Sequence, residues 1–318
     1  MKIGILTSGG DAPGMNAAIR AVVRTAVYHH IDVLGIKGGY DGLLKEDIIP
    51  MNVYSVANII DKGGTILKSS RSDYFKTAAG QKATADILKN YGIDHLVVIG
   101  GDGTLTGGLA LKQLGVSVVG IPATIDNDFG ASTYSIGFDT AVTTAMDAIL
   151  KIRDTTSSHN RINVVQVMGR SCGDIALYAG FGVGAEAIII PEIETNLEGI
   201  CERLIRGKER GKMHSIVMLA EGCGGYREYC EKIENLTEVE TRGTNLGYIQ
   251  RGGSPTHQDR YIANNMGYMA VDAVIKGNTG TVAVLKGDAF EMIPLEEALN
   301  TEKIFNKELY RRMKILSI

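Results

Sequence analysis

The sequence lacks several features that would assign it to familiar classes of protein. Among its 318 residues there is no tryptophan, and the four cysteines form neither a CxxC pair nor a zinc-binding spacing. No apolar run approaches the ~18 residues that a membrane-spanning helix needs. The first residues, MKIGILTSGGDAPG, lack the apolar stretch of a signal peptide. We therefore expect reduced thiols, a cytoplasmic location and no membrane partner.

The charge balance gives no indication of a polyanionic partner either. The chain has 33 basic and 36 acidic residues, a net charge of −3, so we expect no nucleic-acid binding. Apolar residues make up 44%, and the length predicts about two domains. Glycine is abundant, with 40 residues that cluster after apolar runs. This placement predicts turns where the backbone closely approaches a ligand.

One local pattern recurs along the chain: an apolar run rich in Val and Ile, then a glycine-rich or charged segment, then a helical segment. The runs and the segments after them are Met1–Ser8 before GGDAPG, Leu96–Ile99 before GGDGT, Val116–Ile121 before PATIDND, Ile162–Val167 before MGRSCGD, and Ile216–Leu219 before AEGCGG. Continuous apolar runs that alternate with helices predict an α/β fold with mainly parallel sheets. Ligands of such sheets bind beyond the carboxyl ends of the strands.

Two helices have clear apolar periodicity. They are predicted at Asn16–His30 and Asp139–Arg153, with Asp139 as a favoured N-cap residue of the second. Arg20 and Arg24 are four residues apart and therefore share one face of the first helix.

The glycine turns are the first candidates for chemistry. GGDGT at Gly100–Thr104 follows an apolar strand, and its backbone amides could bind phosphate oxygens. Asp102 could hold Mg²⁺, which favours one or two carboxylates completed by substrate phosphates. The alternative is a tight turn with a solvated carboxylate. GGDAPG at Gly9–Gly14 forms a second turn of the phosphate-binding type at the start of a helix.

TIDND at Thr124–Asp128 is the second candidate. Phosphoryl transfer to an alcohol needs a base for the hydroxyl proton and positive charge near the phosphates. Asp126 could be the base, with Asp128 as a structural or metal-linked partner. The alternative is an Asp/Asn turn without a catalytic role.

Arginines beside glycine-rich or polar loops favour an anionic substrate, because guanidinium groups match phosphate geometry. These arginines are Arg71, Arg161, Arg170, Arg242 and Arg251. Other patterns are weaker. DFG at Asp128–Gly130 has neither a VAIK strand nor an HRD loop, which argues against a protein kinase, and no GxxxxGK[ST] loop is present.

Taken together, these segments resemble the ATP-dependent 6-phosphofructokinase family of the short bacterial type. Eight segments occur in the order typical of the family: TSGGDAPGMN, GGDGT, PATIDND, GFDTA, SSHNR, VMGR, LAEG and LGYIQRGGSP. The resemblance implies two Rossmann-like three-layer domains with the active site in the cleft between them. It implies an ATP-binding domain at residues 1–138 plus 251–301 and a fructose 6-phosphate-binding domain at 139–250 plus 302–318.

The implied activity is transfer of the γ-phosphoryl group of ATP to D-fructose 6-phosphate, giving fructose 1,6-bisphosphate in glycolysis, with Mg²⁺. The implied catalytic residues are Asp126 as general base, Thr124 and Arg170. The implied nucleotide ligands are Gly10, Arg71, Ser72, Gly101, Asp102, Gly103 and Thr104, with Asp102 binding the metal. The implied sugar-phosphate ligands are Thr124, Asp126, Met168, Gly169, Arg170, Glu221, Tyr248 and Arg251, and Arg161 and Arg242 from a neighbouring subunit of a homotetramer.

The resemblance also implies an effector site for ADP or phosphoenolpyruvate. Its residues are Arg20, Arg24, Arg153, Glu186, Arg210 and Lys212. Val53 replaces a basic residue often found in this site, which leaves the presence of allosteric control open. Tyr248 stands where many members have histidine, and its phenol can still donate a hydrogen bond to phosphate.

Three alternatives are compatible with parts of the pattern. Pyrophosphate-dependent members typically carry Asp and Lys where this chain has Gly103 and Ala123, and the small residues here favour ATP. NAD and lipid kinases share GGDGT but not the later segments. A catalytically silent sensor would retain the fold, yet both Asp102 and Asp126 are present.

Overall fold

The computed structural model describes residues 1–317, which form two compact units. The first unit consists of Met1–Ile125, Phe129–Thr140 and Arg251–Lys303. The second consists of Asp126–Asp128, Ala141–Gln250 and the described residues from Ile304 onward. Within residues 1–317, none of the helices combines the length and the apolar character of a membrane span.

Strands and helices alternate along most of the chain. The strands are β1 (Lys2–Thr7), β2 (Asp32–Ile36), β3 (Ile48–Met51), β4 (His95–Gly100), β5 (Ser117–Pro122), β6 (Ile162–Val167), β7 (Ala187–Ile189), β8 (Ser215–Ala220), β9 (Thr241–Asn245), β10 (Thr281–Lys286) and β11 (Ala289–Pro294). The helices are α1 (Met15–Tyr28), α2 (Gly39–Leu44), α3 (Ala78–Asn90), α4 (Asp102–Gln113), α5 (Phe138–Ser158), α6 (Asp174–Val183), α7 (Leu197–Glu209), α8 (Tyr226–Thr237), α9 (His257–Ile275), α10 (Leu295–Leu299) and α11 (Lys307–Leu316).

The sheet of the first unit has the order β11-β10-β5-β4-β1-β2-β3 in the described chain. Its central strands are parallel, and the edge strands β3 and β11 run antiparallel to their neighbours. In its register Ile5 lies beside Val97, which lies beside Val119. Successive side chains of a strand point to opposite faces, and nearly all residues of β1, β4 and β5 are buried, so both faces of the sheet are covered. Leu96 and Val98 join the core beneath α2, α3, α4 and α10, and α1 and α9 pack with the sheet outside that core.

The second unit has a smaller sheet in the order β7-β8-β6-β9, whose described strands are all parallel. One face packs Val164 and Val217 against Ile200 and Leu204 of α7 and Ile233 of α8. Helix α6 packs with β6, β7 and β8 outside this cluster. Continuous burial explains why β6 and β8 appear in the sequence as mainly apolar runs, although Asn163 and Gln166 interrupt β6.

The structure confirms the α/β class and the five predicted strands, whose ends are shifted by at most one residue. The predicted helices are also present, although α5 extends five residues beyond Arg153. One local prediction is wrong. Asp139 does not precede α5 as its N-cap but lies within the first helical turn.

Candidate active site

The glycine turns of the first unit meet at a reversal of strand order. Strand β1 lies between β2 and β4, and connections from β1 and β4 proceed in opposite directions across the sheet. Ligands typically bind at such a reversal. The Ser8 amide donates to the carbonyl of Ile99 (3.1 Å), and the Thr104 hydroxyl donates to the carbonyl of Ser8 (2.9 Å). These bonds hold the Gly9–Gly14 turn beside the start of α4.

The GGDGT segment combines one crowded glycine with one open glycine. A Cβ on Gly100 would lie 2.5 Å from the carbonyl oxygen of Ser8, so this position has no room for a side chain. Apart from its two chain neighbours and the nearby backbone of α4, a Cβ on Gly103 would meet no heavy atom of residues 1–317 within 4 Å. Asp102 is exposed and is the first residue of α4. The segment therefore presents backbone amides and one carboxylate at a helix N-terminus.

The loop before Arg71 is anchored to this region. The hydroxyl of Ser69 donates to the carbonyl of Gly9 (2.5 Å), and the hydroxyl of Ser70 donates to that of Gly38 (2.7 Å). Arg71 is exposed, and the hydroxyl of Ser72 accepts a hydrogen bond from the Phe75 amide (3.3 Å). The fold thus holds the predicted nucleotide ligands of this loop near the Gly9 turn.

Arg251 and Thr124 also lie near these turns. A Cβ on Gly101 would lie 3.7 Å from the Cβ of Thr124, and a Cβ on Gly10 would lie 3.0 Å from an Nη atom of Arg251. Arg251 forms an ion pair with Asp11 (2.5 Å). Asp11 was not among the residues predicted from the sequence, although it lies inside the GGDAPG segment. Its carboxylate orients a guanidinium that was predicted to contact substrate.

In the second unit, the carboxyl ends of β6 and β8 bring together another set of predicted residues. The Arg170 amide donates to the Glu221 carboxylate (2.9 Å), and the Met168 amide donates to Gln250 Oε1 (3.2 Å). The backbone is tightly turned here, with φ of +135° at Gly169 and +53° at Arg170. A non-glycine residue at positive φ is uncommon. The turn directs the Arg170 amide at Glu221.

Asp126 lies beside Arg170. Their closest approach joins Asp126 Oδ2 and Arg170 Nε at 3.2 Å, with 8% of the Asp126 side chain exposed and 64% of that of Arg170. The next residue, Asn127, has φ of +52°, and its side-chain amide Nδ2 donates to the Asp174 carboxylate (2.8 Å). Asp174, which the sequence analysis also missed, therefore fixes the turn that carries Asp126. A nearly buried carboxylate beside an exposed cation is suited to accept a proton near an anionic substrate.

Arg161 and Arg242 are not brought to Asp126. They flank the amino ends of β6 and β9, whereas Met168–Arg170 follow the carboxyl end of β6. The length of β6 separates the two groups by about 20 Å, at ~3.3 Å per residue. Glu240 accepts from Arg161 (2.6 Å) and from Arg242 (2.6 Å). The hydrogen bond from Arg161 is the main reason why the pKa of Glu240 lies below its ordinary value.

Tyr248 lies in the turn that contacts Met168, and the predicted effector residues are distributed over both units. Tyr248 is 80% exposed in the short helical turn Gly247–Arg251. In the first unit, burial and then the neighbouring Arg24 lower the pKa of Arg20, and Val53 is exposed. In the second unit, Lys212 pairs with the buried Glu186 (2.7 Å). Arg153 donates weakly to the carbonyl of Gly184 (3.4 Å) and Arg210 is exposed.

Comparison with known proteins gives a consistent result. The sequence model of the phosphofructokinase family matches residues 2–274. The chain belongs to the phosphofructokinase family. It is 52% identical to the ATP-dependent 6-phosphofructokinase of Finegoldia magna over 316 residues, which are 99% of each chain. It is equally similar to that of Clostridium botulinum strain Hall, with 52% identity over 315 residues and 99% of each chain.

Solved phosphofructokinase structures share the fold. The structure of phosphofructokinase from Saccharomyces cerevisiae is 31% identical with a TM-score of 0.91, covering 98% of this chain and 50% of that chain. This chain thus spans about half the length of the yeast phosphofructokinase subunit. A pyrophosphate-dependent phosphofructokinase from Marinobacter aquaeolei is 23% identical with a TM-score of 0.85, covering 97% and 86% of the two chains, which indicates a common fold alone.

Proposed function

We propose that this member of the family transfers the γ-phosphoryl group of ATP to the 1-hydroxyl of D-fructose 6-phosphate. The products are fructose 1,6-bisphosphate and ADP. The observation that carries the chemistry is the nearly buried Asp126 carboxylate beside Arg170. The choice of ATP and of the sugar phosphate rests on relatives that are named ATP-dependent 6-phosphofructokinase across 99% of the chain.

Asp126 is the general base in this proposal. As the sugar oxygen forms its bond to the γ-phosphorus and the bond to the β-phosphate oxygen breaks, Asp126 accepts the hydroxyl proton. Arg170 stabilises negative charge on the transferring group, and the Thr124 hydroxyl orients it. Asp174 supports the base by holding the Asn127 turn.

The first unit binds the nucleotide through the turns at Gly9–Gly14 and Gly100–Thr104. The ligands are Gly10, Arg71, Ser72, Gly101, Gly103 and Thr104. Asp102 supplies one carboxylate. Mg²⁺ is commonly bound by one or two protein carboxylates, and its other ligands are substrate phosphates and water. When bound, Mg²⁺ neutralises phosphate charge. The open space at Gly103 supports ATP as donor, because pyrophosphate-dependent members typically carry Asp at this position.

The second unit binds fructose 6-phosphate, and Arg251 is a further ligand of the sugar phosphate. The ligands in the second unit are Asp126, Met168, Gly169, Arg170, Glu221 and Tyr248. Arg161 and Arg242 bind the 6-phosphate of a neighbouring subunit in a homotetramer. Their separation from Asp126 along β6 supports a role outside their own subunit's site.

We further propose a cytoplasmic enzyme with an effector site for ADP or phosphoenolpyruvate at Arg20, Arg24, Arg153, Glu186, Arg210 and Lys212. The placement of Arg20 and Arg24 on one helix face supports this, because two neighbouring guanidinium groups favour binding of an anion. Burial, and after it the charge of Arg24, lowers the pKa of Arg20. Because Val53 replaces a basic residue, the effector phosphate has one cationic ligand fewer in this site.

A coupled assay tests the proposed function. Purified protein is supplied with Mg²⁺ and fructose 6-phosphate, first with ATP and then with pyrophosphate. We expect turnover with ATP alone. Turnover with pyrophosphate alone would reverse the donor assignment, and no turnover with either would refute the activity. Added ADP and phosphoenolpyruvate then test whether the effector site responds despite Val53.

A further inference from the structure

A buried carboxylate on α9 has no part in the function described so far. Asp259 lies in the first turn of α9 and its side chain is fully buried. It accepts hydrogen bonds from the amide of Gly137 (2.8 Å), the amide of Thr140 (2.8 Å) and the hydroxyl of Thr140 (2.5 Å). Burying a carboxylate is costly, so a site that retains one generally satisfies it with several donors, as here.

These bonds cap α5 from a different helix. The amides of a first helical turn have no acceptor within the helix, and the residue before the helix usually supplies a side-chain oxygen. Gly137 precedes α5 and has no side chain, so Asp259 supplies the oxygens. Thr256 completes the arrangement. Its amide donates to the Thr140 hydroxyl (3.0 Å), and its own hydroxyl accepts from the Asp259 amide (3.2 Å).

Gly137 is glycine because the candidate nucleotide turn lies directly against it. Its φ is +106°, and a Cβ there would lie 2.6 Å from the Cβ of Ala12. Gly14 also has φ of +106°, and its Cβ would lie 2.6 Å from Cγ2 of Ile136. The Gly9–Gly14 turn and the Ile136–Gly137 segment therefore pack without space for a single methyl group.

The other side of the same segment contacts the strand end that leads to Thr124. Ile136 forms a bridge with Ala123, and its amide donates to the carbonyl of Pro122 (3.3 Å). The Ile136–Gly137 segment thus touches both the Gly9–Gly14 turn and the residue before Thr124. A contact that fixes the Ile136–Gly137 segment therefore also fixes the Gly9–Gly14 turn and the loop at Thr124, which carry proposed nucleotide and catalytic ligands.

We propose that Asp259 is a positioning residue for phosphoryl transfer, acting through Ile136–Gly137 on the Gly9–Gly14 turn and on Ala123–Thr124. The inference rests on the proposed function, since these loops hold its nucleotide and its Thr124 hydroxyl. Asparagine cannot replace Asp259 without loss. One amide oxygen cannot serve all three donors, and the amide NH₂ would face an N–H or O–H group. The expected effect is on turnover more than on substrate affinity, because positioning acts on reacting geometry.

The experiment compares Asp259→Asn with three matched variants. Thr140→Val removes one donor and keeps the side-chain shape, and Thr140→Ser keeps the hydroxyl. Asp272→Asn removes a carboxylate from an exposed pair with Lys276 on the same helix. Each variant is assayed for kcat and for KM of ATP and fructose 6-phosphate at a temperature where circular dichroism finds it folded. Hydrogen exchange by mass spectrometry follows the peptides that span residues 133–142.

We expect Asp259→Asn to lower kcat by about tenfold or more with KM changed by less than about threefold, since a displacement of ~1 Å can cost up to about a hundredfold. Exchange should increase in residues 133–142 and not across the chain. Thr140→Val should lower kcat a few-fold, whereas Thr140→Ser and Asp272→Asn should retain wild-type values within about twofold.

A folded Asp259→Asn protein with unchanged kcat would overturn the inference. Faster hydrogen exchange spread evenly over all peptides would also overturn it, because that pattern indicates a general loss of stability. If Asp259→Asn does not fold, Thr140→Val decides: faster exchange at 133–142 with unchanged kcat would overturn it. A wild-type enzyme inactive with ATP and fructose 6-phosphate would refute the proposed function instead. In that case, unchanged exchange at 133–142 in Asp259→Asn would independently refute the cap.

Discussion

The proposal that Asp126 is the general base makes a strong prediction for Asp126→Asn. Asparagine has nearly the same volume but cannot accept the hydroxyl proton. A positioned base typically contributes about 10²–10⁴-fold to the rate, which is roughly 3–5 kcal/mol of barrier. We therefore expect kcat to fall by about two to four orders of magnitude.

The same substitution should leave the fold nearly intact. Removing the carboxylate leaves Arg170 without its partner at 3.2 Å, but the Arg170 side chain is 64% exposed and remains hydrated. Exposed partners contribute about 1 kcal/mol or less, in contrast to a buried charge left alone. The melting temperature should therefore change by only a few degrees.

The assay couples formation of the bisphosphate to NADH oxidation at saturating Mg²⁺–ATP, with the melting temperature and oligomeric state measured in parallel. Asp147→Asn is the matched control, since Asp147 is an exposed carboxylate on α5 of the same unit. It should retain full activity. An Asp126→Asn protein that is folded, assembled and within about tenfold of wild-type kcat would refute the assignment.

Three further predictions address the donor site, the distal arginines and pH. Gly103→Asp should leave the melting temperature unchanged, because an acidic residue is favourable at a helix N-terminus. It should lower kcat/KM for ATP at least about tenfold, because the new carboxylate repels the phosphates of ATP. An unchanged kcat/KM would contradict the donor site. Glu240→Gln should raise KM for fructose 6-phosphate a few-fold at constant kcat, because the negative charge is lost and an amide NH₂ replaces the oxygen that one of the two arginines, Arg161 or Arg242, now contacts. An unchanged KM would exclude this orienting role. Burial raises the pKa of Asp259 from 3.8 to about 6, with a smaller contribution from Asp139. The folded state thus binds this proton more tightly, and its stabilising effect is complete below about pH 4 and lost as pH rises through about 6. Melting temperatures between pH 5 and 7 should therefore show the wild-type advantage over Asp259→Asn growing as pH falls, and a constant difference would contradict it.

The sequence predicts best those elements whose burial is continuous. Strands β4, β5, β6 and β8 are mostly apolar because both faces of their sheets are covered, so their positions follow directly from composition. Strand β9 could not be found in this way. Its residues, TRGTN, contain no apolar run, and it lies at the edge of its sheet. Its pairing with β6 depends on tertiary context, which outweighs local propensity in strands.

Residues of the candidate site that follow predicted strands could be found from the sequence, whereas residues that act through contacts distant in sequence could not. Gly101, Asp102 and Asp126 follow predicted strands, so their clustering at strand ends could be anticipated from parallel-sheet geometry. Residues that act through distant contacts could not. The cap of α5 comes from Asp259, 119 residues after Thr140, and no local signal distinguishes it from the favourable but wrong prediction of Asp139. Glu240 lies two residues before Arg242 in EVETRG, and that proximity is the one signal that could have drawn attention to it.

The left-handed backbone at Arg170 has a consequence for protein engineering. A non-glycine residue with φ of +53° carries about 1–3 kcal/mol of conformational strain, whereas glycine would adopt this geometry freely. A library randomised at position 170 and selected for heat resistance should therefore enrich glycine or asparagine, and the enriched clones should be poor catalysts. Thermostabilised versions of this enzyme are better sought by holding position 170 constant and screening the surfaces of the outer helices.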